Sequence, residues 1–406
     1  MSNGGDAATR GTLLFCSVNL NPPGGGQCVG AWALQALRQD WDITILCSQR
    51  PDFVALNRHF GTCLKESDFR IAQLPWLIRH SHRLDPDPHS FQRAAWVMRR
   101  AGQLGSKFDV TMAVDNEMDF GRPGIQYLHF PYLAKHRGRV DAVRALSRAR
   151  RVGAFFKGQY RPWMILSGIS FDRVLSNLTL VNSKWTASLV ESIYRKQPTV
   201  LYPPVSWSAT PTPWQQRDRS FVSLGRIEPG KRQIQAIDII ERVRSRGHDF
   251  GLEIIGDIAS PAYAQALQER AQAAGPWVRL HHGISRNELE QRVGTCRYGL
   301  HTMLDEHFGI AVAELVRAGC VVFVPRNGGQ VEVIGHEPGL MYDSDDQAVE
   351  RICAVLESDA EQTRLRDILA AHMLDFTEEQ FMRQLRGIVH EFVRERSKEY
   401  GPEHGA

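Results

Sequence analysis

The feature that most constrains this chain is alternation: short apolar runs rich in β-branched residues take turns with stretches of helical periodicity along its whole length. Strands separated by helices pair in parallel, because the crossover returns the chain to the same end of the sheet, and parallel sheets are covered by helices on both faces. In the first half the strand runs fall at residues 12–19, 43–48, 110–114, 125–130, 178–182 and 199–202, the first followed by a glycine-rich turn and a helix over 28–39. In the second they fall at 221–224, 252–255, 278–281, 298–302 and 321–324. At 406 residues the chain exceeds one hydrophobic core, which stops growing near ~250–300 residues, so each half is expected to form its own doubly wound domain. Between them Pro203, Pro204, Pro211 and Pro213 interrupt any regular element. The expected organisation is a first domain over 1–205, a proline-rich linker over 206–219 and a second domain over 220–376. A helix within 377–406, with no strand partner of its own, is expected to return to the first domain.

Composition removes several classes. No apolar run reaches the ~18–20 residues of a membrane span; the best, 163–171, is broken by Ser167 and Gly168. Residues 1–11 are polar, without the apolar core of a secretory leader, and predict a cytoplasmic chain. Seven scattered cysteines form no CxxC pair, which disfavours disulfides and a thiolate zinc site. The net charge of +4 hides an asymmetry: residues 1–210 carry 26 basic against 15 acidic side chains, whereas 211–406 carry 23 against 30. The first half therefore suits an anionic partner.

The chemistry concentrates in 301–334. A buried strand ends near Thr302, a loop carries Asp305 and Glu306, and a helix is expected from about Phe308 to Gly319. In an open parallel sheet this is the ligand-binding end. The unpaired first-turn amides at Phe308, Gly309 and Ile310 favour an anion, and Gly309 admits close backbone approach. Glu314 follows in an apolar setting, where its two oxygens match the two hydroxyls of a ribose; the alternative is a solvent-facing glutamate. A second cluster, Gly225 to Lys231, sets Arg226 and Lys231 in a turn at a strand's carboxyl end, where they can clamp a diphosphate. Arg232 follows the lysine, so the Walker A pattern is absent.

Glu306 and Glu314 in an E-x7-E pair, the G-R-x-E-P-x-K run at 225–231, and Gly328-Gly329-Gln330-Val331-Glu332 together resemble the retaining GT-B glycosyltransferases of family four, most strongly over 219–376. Within that family, the run from Leu300 to Ile310 and Tyr127-Leu128-His129-Phe130-Pro131 are similar to the GDP-mannose-dependent α-1,2-mannosyltransferases of lipid-linked oligosaccharide synthesis. The resemblance implies an α/β GT-B fold, two Rossmann-like domains facing across a cleft, that transfers a hexose from a nucleotide-diphosphate sugar to a glycan or lipid-linked acceptor. It implies that Arg226 and Lys231 hold the donor diphosphate without a metal or other cofactor, that Glu314 binds the ribose, and that Glu306, with Gly309 and Ile310, borders the hexose. From the first domain, Gly25 and Gly26 would approach the donor and His129 the sugar and acceptor.

Other patterns are weaker. Gly24, Gly25, Gly26 and Gly30 miss the dinucleotide spacing, and Ser48, Gln49 and Arg50 stand where a nicotinamide ribose needs an acid. Asp85-Pro86-Asp87 spells a DxD motif but follows no strand, and His80, His82 and His89 around it have no fixed metal geometry. Between Lys135 and Arg161 nine basic side chains face Asp141 alone, with Phe155, Phe156 and Trp163 near the end of the stretch. That suits either an anionic membrane surface or a solvated helix, and no nucleic-acid motif accompanies it. A sugar-nucleotide epimerase of the same fold, or a silent nucleotide- or glycan-binding protein, are the alternatives to transfer.

Overall fold

The computed structural model describes residues 10–22, 24–81, 90–133, 160–210 and 212–399. Its first sheet comprises β1 (Gly11–Ser17), β2 (Trp41–Cys47), β3 (Phe69–Ala72), β4 (Val110–Ala113), β5 (Ile125–Leu128), β6 (Leu178–Val181) and β7 (Thr199–Val200). Their order is β3-β2-β1-β4-β5-β6-β7, with every pairing parallel. The second comprises β8 (Asp218–Leu224), β9 (Gly251–Ile255), β10 (Val278–His281), β11 (Cys296–Leu300), β12 (Val321–Pro325) and β13 (Met341–Tyr342), in the order β10-β9-β8-β11-β12-β13 and again parallel. Each order reverses direction once, beside β1 and beside β8, and ligand crevices form at the carboxyl side of such reversals.

The strands read as continuous apolar runs because both faces are covered. On β1, Leu13 and Phe15 pack against Val29, Leu34 and their neighbours in the helix Gly25–Leu37, while Leu14 and Cys16 face Val97, Met98 and Ala101 of the helix Phe91–Leu104. In the second domain Phe221 lies between Tyr298, at 5.0 Å between ring centroids, and Phe250, at 5.7 Å. The edge strands β3 and β13 are absent from the sequence reading; at four and two residues they carry too little apolar periodicity to stand out.

Two connections set how the domains meet. Val205 already belongs to the second core, its amide donating to the Phe376 carbonyl at 3.0 Å. The terminal helix Glu378–Glu399 runs the other way: Phe381, Leu385 and Val389, spaced four apart on one helical face, are buried in the first core. Arg386 donates from Nε to the Ala36 carbonyl at 2.7 Å, at the end of the helix Gly25–Leu37. The chain thus crosses between domains twice. All seven cysteines are free thiols, and six of them are buried.

Leu385→Ala should remove about 2–5 kcal/mol of stability, as expected for a large-to-small change at a fully buried site. Denaturant unfolding checks this; an unchanged midpoint would mean that the helix does not complete the first core.

Candidate active site in the interdomain cleft

At the carboxyl ends of the second sheet, the turn Pro229–Lys231 follows β8 and the loop 301–309 follows β11. The Thr302 hydroxyl ties them together, 2.8 Å from the Lys231 carbonyl and 3.0 Å from that of Arg232. Lys231 Nζ then reaches Glu306 Oε2 at 2.5 Å, with both side chains largely buried. Burial alone would push the Glu306 carboxyl up, but Lys231, helped by His301 and His307, brings it down to about 2. Glu306 is fixed through its backbone as well: it bridges Gly328, and its carbonyl accepts from the Gly329 amide at 2.7 Å. The glycine motif is therefore the seat of the acidic loop.

The following helix begins at Ile310, two residues later than the sequence suggested, because Gly309 adopts φ +94 as its N-cap. Only glycine takes that conformation cheaply, and a Cβ there would also press on Gln330 at 3.0 Å. The first domain arrives opposite. A Cβ on Gly25 would stand 2.8 Å from Ile310 Cδ1, and one on Gly26 3.2 Å from His129 Nε2. The glycine-rich loop therefore touches the start of the second domain's helix while packing over His129. That histidine is buried, its Nε2 lies 2.9 Å from the Val114 carbonyl, and burial pulls its pKa down to about 4.

Two expected partners lie elsewhere. Arg226 does not join Lys231: its mostly exposed side chain pairs with Glu228 at 3.1 Å, the nearest carboxylate, while Lys231 is engaged by the buried Glu306. Glu314 is already held, accepting from Arg286 Nη1 at 2.5 Å. Arg286, which the sequence reading missed, also grips Glu290 at 2.8 Å and the Ser206 carbonyl at 2.7 Å, and lies 5.4 Å from the Trp207 ring. Although burial opposes its charge, Glu314 and Glu290 hold its pKa above the ordinary arginine range. Glu290 in turn accepts from the Ser208 hydroxyl and the Ala209 amide, so the ribose-binding candidate is wired to the interdomain linker.

Also missed was the clasp between domains. Glu332, in the second domain, accepts from the amides of Lys184 and Trp185, both at 2.9 Å, and from the Tyr202 hydroxyl at 2.9 Å. Those amides open the first-domain helix Lys184–Tyr194, so Glu332 caps a helix of the opposite domain and meets its positive end. Next to it, the His307 carbonyl accepts from Ser183 Oγ at 2.6 Å, and the His307 ring stacks on Phe130 at 4.6 Å and Trp185 at 6.0 Å. Both elements lie in segments that the sequence marked, 301–310 and 328–332, but a cap across domains leaves no local pattern. Asp85, Asp87 and the basic segment, save its last two residues, lie outside the described residues.

Two parallel doubly wound domains with this cleft define the GT-B fold. Residues 210–369, most of the second domain, match the family model Glycosyl transferases group 1. The GDP-Man:Man(3)GlcNAc(2)-PP-Dol alpha-1,2-mannosyltransferase of Candida glabrata is 26% identical over 229 residues, covering 52% of this chain and 44% of that protein. The mouse protein of the same description is 27% identical over 229 residues, covering 51% and 46%. The chain thus spans less than half the length of these curated relatives. Among solved structures, Anabaena HepE in complex with UDP and glucose aligns over 94% of this chain and 100% of its own with a TM-score of 0.63 and 15% identity. WaaG, a glycosyltransferase involved in lipopolysaccharide biosynthesis, aligns over 93% and 99% with a TM-score of 0.64 and 15% identity.

Replacing Glu332 with Ala strands the Lys184 and Trp185 amides and should cost about 1–3 kcal/mol. Small-angle scattering should show a larger radius of gyration and calorimetry a lower melting temperature; two unchanged values would remove the clasp from the account.

Proposed function

We propose that the protein is a retaining hexosyltransferase that takes mannose from GDP-mannose and delivers it to a glycan or lipid-linked acceptor. The observation that carries this reading is the convergence of Lys231, Glu306 and the Gly328–Gly329 seat at the carboxyl ends of a group 1 domain, facing His129 and the glycine loop. The donor lies on the second domain. Its diphosphate competes with Glu306 for Lys231, and Arg226 swings from Glu228 to join it, an exchange that is inexpensive for an exposed ion pair. The two cations stabilise negative charge as the nucleoside diphosphate leaves, an electrostatic role that needs no metal. Glu314, oriented by Arg286, receives the ribose hydroxyls. Glu306 and His129 border the hexose from opposite domains, so closure of the cleft completes the site and excludes water.

The choice of mannose and of a lipid-linked acceptor is supported by the activity of the relatives and by the resemblance of the runs at 127–131 and 300–310. Among the described residues no helix is long and apolar enough to cross a membrane. A lipid-linked acceptor would instead be met by docking of the first domain on an anionic surface. Its excess of basic residues supports that, as do exposed Trp76 and Leu77 on the helix Trp76–Ser81 and exposed Ile165 on the helix Tyr160–Ser167.

Incubation with GDP-mannose and UDP-glucose, followed by mass spectrometry of released nucleotide and product, tests the reading. Arg226→Ala should lower kcat/KM by about 2–4 kcal/mol of transition-state stabilisation, with chelator leaving turnover intact. Unchanged kinetics in that variant, or a strict need for a divalent ion, would overturn it.

A further inference from the structure

His301 is the unexplained group of this site. It directly follows β11, its side chain is 4% exposed, and its Nε2 has no hydrogen-bond partner among the described residues. A buried polar nitrogen without a partner is costly, and such atoms in native structures call for an explanation. The nearest oxygen with charge is Glu306 Oε2, at 3.6 Å, beyond hydrogen-bond distance. That same oxygen is the one that Lys231 Nζ holds at 2.5 Å. Its backbone is held on both sides: the His301 amide donates to the Phe323 carbonyl at 2.9 Å, and the His301 carbonyl accepts from the Tyr342 hydroxyl at 2.5 Å. The carboxylate oxygen therefore has one partner in place and a second waiting behind it.

Resting on the proposal that a donor diphosphate engages Lys231, we propose that His301 is a positioning residue that takes over Glu306 when the diphosphate draws Lys231 away, and that this exchange loads a proton from solvent onto the His301–Glu306 pair. Charge balance requires it. The buried Lys231–Glu306 pair is neutral overall; removing the ammonium leaves a carboxylate in a low-dielectric pocket, which is strongly unfavourable unless a new cation or a proton arrives. The proton that enters binds Nε2 and is shared toward Oε2, closing the 3.6 Å gap to a charge-assisted hydrogen bond. One covalent bond forms, the N–H at Nε2 that the solvent proton supplies, and the Lys231–Glu306 hydrogen bond is exchanged for Lys231–phosphate and His301–Glu306 contacts. The carboxylate thereby keeps its orientation toward the hexose through donor binding.

The groups facing His301 support the direction. From the loop after β8, Lys231 opposes protonation of the imidazole, while from its own loop Glu306 favours it; burial, the larger influence, holds the imidazole at about 4, hence neutral near pH 7. Tyr342 from β13 touches only the carbonyl. Arg232 donates to the Thr302 carbonyl at 3.4 Å and lies 3.8 Å from Asp345, so its charge is partly answered. His307 also lowers the Glu306 carboxyl through its charge. Moving Lys231 onto a phosphate removes the opposing cation and leaves the favouring carboxylate.

Titration calorimetry of the full chain with GDP-mannose at pH 7.5, repeated in buffers of different ionisation enthalpy, reads the proton directly; this donor's diphosphate has no ionisation near that pH. The wild type should take up close to one proton per donor bound. His301→Gln offers Glu306 an N–H but no charge, so the uptake should disappear and the affinity should fall by about tenfold. His301→Leu should weaken binding by about tenfold or more. Binding without uptake in the wild type, or uptake that persists in His301→Gln, overturns the inference about His301 while leaving the donor site standing. Failure of the wild type to bind either GDP-mannose or UDP-glucose would instead remove the underlying reading of the site.

Discussion

Everything in the cleft depends on one buried ion pair, Lys231 with Glu306. Burying two charges is expensive, and such a pair is retained at a net cost unless something else requires the charges. Here the surroundings are shaped to hold it: Thr302 fixes the lysine turn, the glycine seat at 328–329 fixes the glutamate backbone, and Gly309 turns the chain into the next helix immediately afterwards. The pair holds a cation ready at the end of a parallel sheet, the place where the fold gathers helix N-termini and loop amides. An anionic donor bound as proposed would find there a lysine already desolvated and positioned, which lowers the reorganisation that binding has to meet.

Around that pair the two domains are joined by unlike devices. The terminal helix Glu378–Glu399 is bound into the first core by apolar packing, and it is permanent in character. The clasp of Glu332 on the helix Lys184–Tyr194 is polar and peripheral, of the kind that can open and reform. Between them runs the linker, where Arg286 connects Glu314 to Ser206, and Trp32 Nε1 of the first domain donates to Ser206 Oγ at 3.1 Å. A site residue, a hinge segment and the opposite domain thus share one hydrogen-bonded chain.

Much of the fold was legible in the sequence because parallel strands buried on both faces announce themselves as apolar runs, and β1, β2, β4 and β8 stand within a few residues of their expected places. Two of the edge strands, β3 and β13, were not; Met341–Tyr342 is two residues long and its pairing is set by β12 rather than by its own pattern. At the cleft, Glu306, Lys231, Gly309 and Glu314 were singled out through spacing and resemblance. Arg286, His301 and the cap by Glu332 were not, because their meaning arises from partners 28 to 148 positions away or from a missing partner, and neither leaves a trace in local sequence. Arg226 shows the opposite limit. Its place in the motif is clear, but an exposed side chain takes the nearest carboxylate, and spacing does not decide which.

The central claim is that Lys231 is the anion seat and is shared between Glu306 and a donor diphosphate. A crystal structure of the protein with GDP-mannose tests it most directly. The account predicts the diphosphate within hydrogen-bond distance of Lys231 Nζ, the ribose hydroxyls on Glu314, and a Lys231–Glu306 separation longer than 2.5 Å. A nucleotide bound elsewhere, or one bound in the cleft with the Lys231–Glu306 contact intact, would contradict it.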